Sequence, residues 1–241
     1  MDKFKLEYKS FGDHALLIQW PRLVDESILT DIISFNELIK QQLDVQETVP
    51  AYNSLLLIFD TETVLAKMIK EVNNLYKGHY KSDPVERKRW QIPVCYDTEF
   101  GIDLEDFAFQ KKLSVEDVIK LHTEPVYTIY AIGFLPGFMY LGGLNKTLHH
   151  PRRKEPRLKI PRGSVGIGGE QTGVYPQESP GGWNIIGNSP IRIFNPENQP
   201  PCGVNVGDQV QFYSIDKPTH ELFTIQVESG IFQLKTLELN D

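Results

Sequence analysis

The sequence has little cysteine and no long apolar run. Its 241 residues include two cysteines, Cys95 and Cys202, which lie far apart and form no Cys-x-x-Cys pair. This usage predicts a reducing compartment and two structural thiols rather than a thiolate metal site. No stretch approaches the roughly 18 consecutive apolar residues that a membrane span requires. Residues 1–20 are patterned like strands rather than like a signal peptide, so we expect a cytoplasmic protein with no membrane partner.

Positive charge is also scarce. With 25 Lys and Arg against 32 Asp and Glu, the formal net charge is −7 at pH 7. A protein that binds nucleic acid in general presents a basic face that replaces the counterions of the phosphate backbone. The charge balance therefore predicts that nucleic acid is not the partner.

Several common site motifs are missing. The sequence has no GxxxxGK[ST] phosphate loop, and no GxGxxG precedes a predicted helix. The nearest glycine cluster, residues 166–169, lies among predicted strands, which disfavours a Rossmann fold. No GxSxG nucleophile elbow is present. His149 and His150 are adjacent, and neighbouring side chains on a strand point to opposite faces, so they predict no shared metal site.

Residues 1–80 predict a small α/β unit with the element order β-β-α-β-β-α. Apolar and polar residues alternate in predicted strands at 4–9, 14–20, 44–50 and 54–59. Asp25 is placed to cap a helix over about 26–42, and Thr61 to cap a second helix that stops at Gly78. The predicted inward faces are Ile28, Ile32, Phe35 and Ile39 on the first helix, and Leu65, Met68, Val72 and Leu75 on the second.

The polar segment 81–89 predicts a linker, and residues 90–241 a β-barrel domain, so the predicted fold class is α+β. Short helices are expected at 103–111 and 114–122, the second with an approximate capping box of Ser114 and Asp117. Many short strands with turn signals complete the domain. They are expected at 125–132, 164–168, 172–175, 183–187, 191–194, 209–215, 222–228 and 231–237.

Residues 133–187 are the most unusual part of the chain. They hold twelve of the 18 glycines and six of the 16 prolines, with seven Lys and Arg and three Glu. Glycine and proline at this density predict turns with exposed backbone N–H groups. The segment carries a net charge of +4 in a chain of −7. Amides and positive potential favour carboxylate or phosphate, so we predict a small-anion site; the alternative is a rigid loop platform with ordinary surface charges.

The candidate anion-binding residues offer charge, hydrogen bonds or a stacking surface. Arginine can grip a carboxylate with two parallel hydrogen bonds, and Pro156 and Pro161 frame Arg157 in stiff chain. The candidate set is Arg157, Arg162, Gln171, Tyr175, Ser179, Gly181, Gly182 and Trp183. The candidates for a catalytic role are His149, as a proton carrier, and Arg157. The aromatic residues Phe134, Phe138 and Tyr140 are predicted to belong to the core or to a pocket wall.

Four long stretches occur in an order that identifies a family. They are IPVCYDTEFGIDLE (92–105), VYTIYAIGFLPGFMYLGGL (126–144), PRRKEPRLKIPRGSVGIGGEQTGVYP (151–176) and SPGGWNIIGNSP (179–190). With FGDHALLIQW near the N-terminus, they resemble the family of 5-oxoprolinase B subunits, which is also called allophanate hydrolase subunit 1 or the kinase-A inhibitor family. The resemblance covers nearly the whole chain.

This resemblance implies a small α/β domain followed by a cyclophilin-like β-barrel related to a domain of urea carboxylase. It implies two protein partners, a C subunit with a second cyclophilin-like domain and an A subunit. The three proteins form an enzyme that converts 5-oxo-L-proline, a small anionic substrate, to L-glutamate while hydrolysing ATP. The implied cofactor is ATP, with the subunit that binds it left open, and this chain alone is expected to be inactive.

Two other functions stay open. A family member inhibits a sensor histidine kinase, and an exposed apolar patch outside the pocket would favour that role here. The chain is also compatible with a subunit of another amide- or urea-processing enzyme. Residues 216–241 extend past the predicted strand at 209–215, and we expect this extension to add a hairpin to the barrel edge.

Overall fold

The computed structural model of the protein describes residues 4–60, 64–78 and 87–239. The chain divides into two compact units, the second of which begins at Arg87. Thr61, the predicted cap of the second helix, and residues 81–86 of the predicted linker lie outside the described residues. The last part of that predicted linker, 87–89, belongs to the first strand of the second unit.

In its described part, the first unit combines an antiparallel sheet with two helices. The strands are β1 (Glu7–Ser10), β2 (Ala15–Gln19), β3 (Glu47–Ala51) and β4 (Ser54–Ile58), in the order β1-β2-β4-β3. Helix α1 (Glu26–Gln42) begins as predicted, because the Asp25 carboxylate accepts hydrogen bonds from the N–H groups of Ser27 and Ile28. Helix α2 (Leu65–Lys77) ends at Gly78, also as predicted.

The core of the first unit contains the helix faces that the sequence predicts. All four predicted residues of α1 are buried, namely Ile28, Ile32, Phe35 and Ile39. In α2, Val72 is fully buried, and the other predicted residues are partly buried against the same core: Leu65, Met68 and Leu75. The apolar period of the helix is therefore enough to predict which face meets the sheet.

The second unit is a closed β-barrel with additional strands. The strands are β5 (Arg87–Cys95), β6 (Tyr127–Ile132), β7 (Met139–Gly142), β8 (Arg157–Ile160), β9 (Ser164–Gly168), β10 (Gln171–Val174), β11 (Ser179–Gly181), β12 (Asn184–Asn188), β13 (Gln209–Ile215) and β14 (Thr236–Leu239). Seven form a ring in the order β12-β9-β10-β7-β6-β13-β5, which closes where Asn188 pairs with Cys95. The predicted α+β class, with a small first unit followed by a barrel, is confirmed.

The barrel closes at a glycine. A Cβ atom at Gly187 would lie 2.7 Å from the carbonyl oxygen of Cys95, so no larger residue fits between β12 and β5. Strand β5 also pairs in parallel with β13, and β14 runs antiparallel along the first half of β5. Strands β8 and β11 form a separate pair. The ring thus encloses the core, and the β8–β11 pair lies apart from it.

Two helices lie between β5 and β6. Helix α4 (Val115–Thr123) begins at the predicted capping box, in which Ser114 and Asp117 accept hydrogen bonds from each other's backbone N–H groups. Helix α3 (Leu104–Lys111) begins after Asp103, but the Asp103 side chain does not cap it. That carboxylate binds two arginines far along the chain instead. Within the described ranges, no helix has both the length and the apolar character needed to cross a bilayer.

The C-terminal extension is not the predicted hairpin. Residues 222–228, predicted as a strand, lie in helix α5 (Lys217–Glu228), and the predicted strand 231–237 is replaced by β14. The Asp216 side chain accepts a hydrogen bond from the Thr219 N–H, and Pro218 lies in the first turn. Both features begin helices, and the alternating apolar residues that follow obscured them in the sequence.

The predicted strand at 191–194 is wrong for a different reason. Ile191 and Ile193 are buried in alternation, as in a strand. The segment nevertheless forms only an isolated bridge between Phe194 and Cys202. Proline on both sides, at 190 and 196, removes N–H donors that a strand pairing needs.

A buried histidine connects α4 to the barrel. His122 Nδ1 lies 2.6 Å from the Tyr96 hydroxyl, and Nε2 lies 2.8 Å from Thr172 Oγ1. The Thr172 hydroxyl donates to the Gly166 carbonyl, so it accepts from Nε2–H while Nδ1 accepts from Tyr96. The ring stacks on Phe212 at 4.6 Å between centroids. Burial lowers the pKa of His122 to about 3, so the folded protein holds a neutral imidazole.

Acidification is expected to destabilise the second unit through His122. The pKa of an unfolded histidine is near 6.5, whereas the folded pKa is about 3, so between these values only the unfolded chain gains the proton. The free energy of unfolding should then fall by about 1.4 kcal/mol for each pH unit lost. His122→Gln keeps hydrogen-bonding groups but does not titrate. Urea titrations between about pH 7 and pH 4 should therefore give a shallower pH dependence for the variant.

The comparison isolates His122 from the other histidines. Burial also lowers the pKa values of His150 and His220, and both residues remain in the variant. Their contribution cancels when the two pH profiles are subtracted. Parallel profiles for wild type and His122→Gln would contradict the assignment.

Candidate functional site

A cavity of about 390 Å³ opens within the glycine-rich segment that the sequence singles out. Its walls come from the loop after β6 with β7, the segment before β8, the residue after β10, and β11 with the residues that follow it. This volume is typical of small-molecule sites. The lining residues are Phe134, Leu135, Phe138, Tyr140, Arg152, Pro156, Tyr175, Ser179, Pro180, Gly181, Gly182 and Trp183.

Aromatic rings form the inner wall of the cavity. The ring centroid of Phe138 lies 5.1 Å from that of Tyr140, 5.5 Å from Tyr175 and 5.4 Å from Trp183, each in an edge-to-face contact. Phe138, Tyr175 and Trp183 are buried. Their mutual packing fixes the orientation of each ring, so the wall is formed without a ligand. Phe134, Phe138 and Tyr140, predicted as core or pocket wall, all line the cavity.

Phe134 stands at the mouth of the cavity. Its side chain is 63% exposed, and its ring centroid lies 5.5 Å from that of Phe138. Its backbone has a φ of +66°, which a bulky residue rarely adopts. Strained residues of this kind are concentrated at ligand sites, where the strain is maintained for a contact.

The guanidinium of Arg152 faces the cavity. Its central carbon lies 5.9 Å from the centroid of the Trp183 ring, a cation–π contact. Within the described residues, no carboxylate forms an ion pair with Arg152. The cavity therefore has an apolar inner wall and a positive charge at its edge.

Two neighbouring arginines share one buried carboxylate, which offsets one of their two positive charges. Arg157 donates to both oxygens of Asp103, at 2.8 Å from Nη1 to Oδ2 and 2.6 Å from Nη2 to Oδ1. Arg153 Nη1 donates to Oδ1 at 3.0 Å, and the Ile185 N–H donates to Oδ2 at 2.7 Å. The two-pronged grip predicted for Arg157 is thus present, but the carboxylate belongs to the protein itself.

The Asp103 cluster joins two walls of the cavity. Arg153 and Arg157 belong to one wall segment, whereas Ile185 follows the other wall at Trp183. Two further hydrogen bonds connect these walls: the Arg153 N–H donates to the Gly182 carbonyl at 2.7 Å, and Asn184 Nδ2 donates to the Pro151 carbonyl at 3.0 Å. The spacing between Arg152 and Trp183 is therefore set by fixed backbone on both sides.

The structure brings five of the predicted anion-binding residues into the cavity wall: Tyr175, Ser179, Gly181, Gly182 and Trp183. Burial raises the pKa of the Tyr175 hydroxyl, and a hydrogen bond from the Trp183 backbone, followed by the Arg152 and Arg157 guanidiniums, opposes that shift. The phenol is therefore protonated near neutral pH and is a hydrogen-bond donor. A neutral donor beside a cation suits an oxygen that carries negative charge.

The other predicted residues lie elsewhere. Arg157 is bound to Asp103. Arg162 is near the Ile191 carbonyl, with Nη1 3.5 Å from that oxygen, and Gln171 begins β10. His149 Nε2 lies 3.1 Å from the Leu144 carbonyl, and Nδ1 lies 3.9 Å from a Glu170 oxygen. None of the four lines the cavity. In the described ranges, no cluster of three His, Cys, Asp or Glu is arranged to hold a metal.

Three residues of the site were not among the sequence candidates, namely Asp103, Arg152 and Arg153. Asp103 precedes a helix, where the usual interpretation is a helix cap. Its partner Arg153 is 50 residues away along the chain. Arg152 belongs to a run of basic residues that sequence alone cannot rank. The tryptophan that packs against it lies far along the chain, so no local signal in the sequence marks this arginine.

Comparison with known proteins places the chain in a family. Residues 6–204 match the family model described as carboxyltransferase domain, subdomain C and D. The 5-oxoprolinase B subunit of Bacillus subtilis (strain 168) is 35% identical over 233 residues, which cover 91% of this chain and 97% of the relative. The match thus includes both units of the chain.

Solved structures extend the likeness to the fold. The protein TTHA0988 is 31% identical with a TM-score of 0.73, and the alignment covers 85% of this chain but 40% of that one. The urea amidolyase of K. lactis is 19% identical with a TM-score of 0.81, covering 98% of this chain and 16% of that one. The second likeness concerns the fold alone, and in both cases this chain spans less than half of the longer protein. The chain therefore belongs to the carboxyltransferase subdomain C and D family, and within it to the family of 5-oxoprolinase B subunits.

Proposed function

We propose that the chain is the B subunit of an ATP-dependent 5-oxoprolinase and acts with the A and C subunits of that enzyme. In the proposed reaction, 5-oxo-L-proline, ATP and two waters become L-glutamate, ADP and phosphate. The observation that carries the proposal is the aromatic cavity with Arg152 at its edge, in a chain whose relative is named as the B subunit of 5-oxoprolinase. Its volume and flat walls suit a five-membered lactam that bears one carboxylate.

The residues that line the cavity have proposed roles in this reaction. Tyr175 donates a hydrogen bond to the lactam oxygen, and Trp183 supports the ring. Gly181 and Gly182 allow the ligand to approach the backbone, and Ser179 borders the same wall. Donors placed where negative charge develops on the lactam oxygen lower the barrier to ring opening.

ATP is proposed as the cofactor of the whole complex. A cytoplasmic location is also proposed, and the free thiols Cys95 and Cys202 support it.

Reconstitution tests the role in the complex. The chain is mixed with the candidate A and C subunits of its host, ATP and 5-oxo-L-proline, and glutamate and ADP are measured. We expect glutamate only when this chain is present, because its cavity is proposed to be part of the lactam site. Equal glutamate formation by the A and C subunits without this chain would overturn the proposal. A mixture that contains heat-denatured chain serves as the matched control.

A second candidate function rests on the surface of α5. Leu222 and Ile225 are 52% and 61% exposed, and a spacing of three residues places them on the same face of this helix. An exposed apolar face outside the cavity is compatible with a protein that binds a sensor histidine kinase. Addition of the chain to autophosphorylating kinases of the host tests this function. Unchanged phosphorylation rates for all of them would exclude it.

A further inference from the structure

We propose that Arg152 is the residue that holds the carboxylate of the ligand, and that this cavity selects a flat ring with a single negative charge. The inference rests on the proposed function and specifies which part of the substrate each wall receives. It also assigns the polyphosphate of ATP to a site other than this cavity. It is argued from the arginine that lines the cavity, the contact of Arg152 with Trp183 and the aromatic wall.

The positive charge that lines the cavity belongs to one arginine. Arg153 and Arg157 share the Asp103 carboxylate, whose side chain is 8% exposed. Of the arginines in the glycine-rich segment, only Arg152 lines the cavity. A single guanidinium matches one carboxylate, whereas a bound triphosphate is usually met by several cations or a metal ion. The charge therefore favours a monocarboxylate.

Trp183 packs against the Arg152 guanidinium, with the central carbon 5.9 Å from the ring centroid. The indole is 4% exposed and lies against Phe138, so its own position is constrained. A guanidinium that packs on a fixed ring loses rotational freedom before the ligand arrives. Its remaining N–H groups form a planar fork, which matches the two oxygens of a carboxylate. Lysine in its place would supply the charge without this geometry.

The aromatic wall supplies the contact for the ring. Tyr140, Phe138 and Trp183 present apolar surface on the cavity side, while Phe134 stands at its mouth. A small lactam ring is apolar on both faces and polar at its edge. Its faces therefore pack on the aromatic rings, and its carboxylate points outward to Arg152. Tyr175 is then the donor nearest to the other polar edge, the lactam oxygen.

The test uses the reconstituted complex of this chain with the A and C subunits. Arg152→Met keeps the apolar stem over Trp183 and removes the charge. Arg152→Lys keeps the charge and removes the planar fork. Lys154→Met is the control, because it removes a neighbouring exposed charge. We expect Arg152→Met to raise the KM for 5-oxo-L-proline about 10- to 100-fold and to leave the KM for ATP unchanged. The KM for 5-oxo-L-proline should be intermediate in Arg152→Lys and equal to that of wild type in Lys154→Met. An unchanged KM for 5-oxo-L-proline, or an equal rise in the KM for ATP, would overturn the inference.

Failure of the proposed function would be distinguishable. If the wild-type complex makes no glutamate, calorimetry on the chain itself compares 5-oxo-L-proline with 2-pyrrolidinone, which is the same lactam without the carboxylate. Binding of the carboxylate form alone, lost in Arg152→Met, supports the site without the reaction. Equal binding of both compounds, or binding of neither, overturns it.

Discussion

Replacing Asp103 by asparagine is expected to lower the free energy of unfolding of the second unit by about 3 kcal/mol. The carboxylate accepts four hydrogen bonds, three of them from Arg153 and Arg157, and only 8% of its side chain is exposed. Asparagine keeps an oxygen for the Ile185 N–H but leaves two guanidiniums without a counter-charge. Removal of one partner from a buried ionic cluster costs more than the cluster contributes when the charge left behind is poorly solvated. Here Arg157 is only 25% exposed, whereas Arg153 at 37% is partly solvated, which puts the expected loss at the lower end of the range for buried pairs.

Urea titration measures this loss when the signal comes from the second unit alone. Trp20 lies in the first unit, so a Trp20→Phe background leaves Trp90 and Trp183 as reporters. Asp106→Asn, an exposed acid in the first turn of the same helix, is the matched control and should cost less than about 1 kcal/mol. Equal effects of the two asparagine variants would show that the buried cluster contributes no special stability.

Alanine at Gly181 is expected to destabilise the second unit by about 1–3 kcal/mol and to deform the cavity. The added Cβ would lie 2.4 Å from the Tyr175 hydroxyl and 2.7 Å from Ile160 Cδ1. Both neighbours are buried, so neither can move aside without disturbing the wall. The displaced phenol would also lose its alignment with the ligand, so the KM for 5-oxo-L-proline should rise in the reconstituted complex.

The adjacent glycine provides the control for this prediction. A Cβ at Gly182 would have its nearest contact at 3.7 Å, which is an ordinary van der Waals distance. Gly182→Ala therefore adds the same methyl group at the next residue without a clash, and its free energy of unfolding should lie within about 0.5–1 kcal/mol of the wild-type value. Thermal and urea unfolding of the pair decide the matter. Similar losses in both variants would mean that the backbone conformation, not contact with Tyr175, accounts for the effect.

Local signals predicted most of the fold because their causes are local. Asp25 and the capping box at Ser114 determine helix starts from side chains within three residues, and sequence shows both. The prediction for the C-terminal extension was wrong because two local signals competed there. Alternating apolar residues suggested a strand at 222–228, but the cap at Asp216 and the proline that follows start a helix that continues through them.

The sequence indicated the region in which the candidate cavity lies but not the arginine that faces it. Glycine, proline and basic residues correctly indicated the segment that forms the cavity, including Tyr175 and Trp183. Which arginine faces that cavity depends on Asp103, whose partners lie 50 and 54 residues away. Pairing at such distance is decided by how the barrel folds, and no spacing in the sequence encodes it. Arg157 was predicted to bind the anion because prolines on both sides restrict its backbone. The same restricted backbone holds Arg157 in its ion pair with Asp103.

The parallel pairing of β5 with β13 has a consequence for the order in which the chain folds. Arg89 on β5 binds Gln209 on β13, 120 residues away. The ring therefore cannot close until β13, the last of its strands along the chain, is in place. The hairpin of β3 and β4 in the first unit pairs Ala51 with Ser54, across a short turn. Contacts between distant residues form slowly, because a long loop must be closed before any of its bonds is gained. Closure of the barrel between β5 and β13 is therefore expected among the last steps of folding, after the hairpins of the first unit have formed.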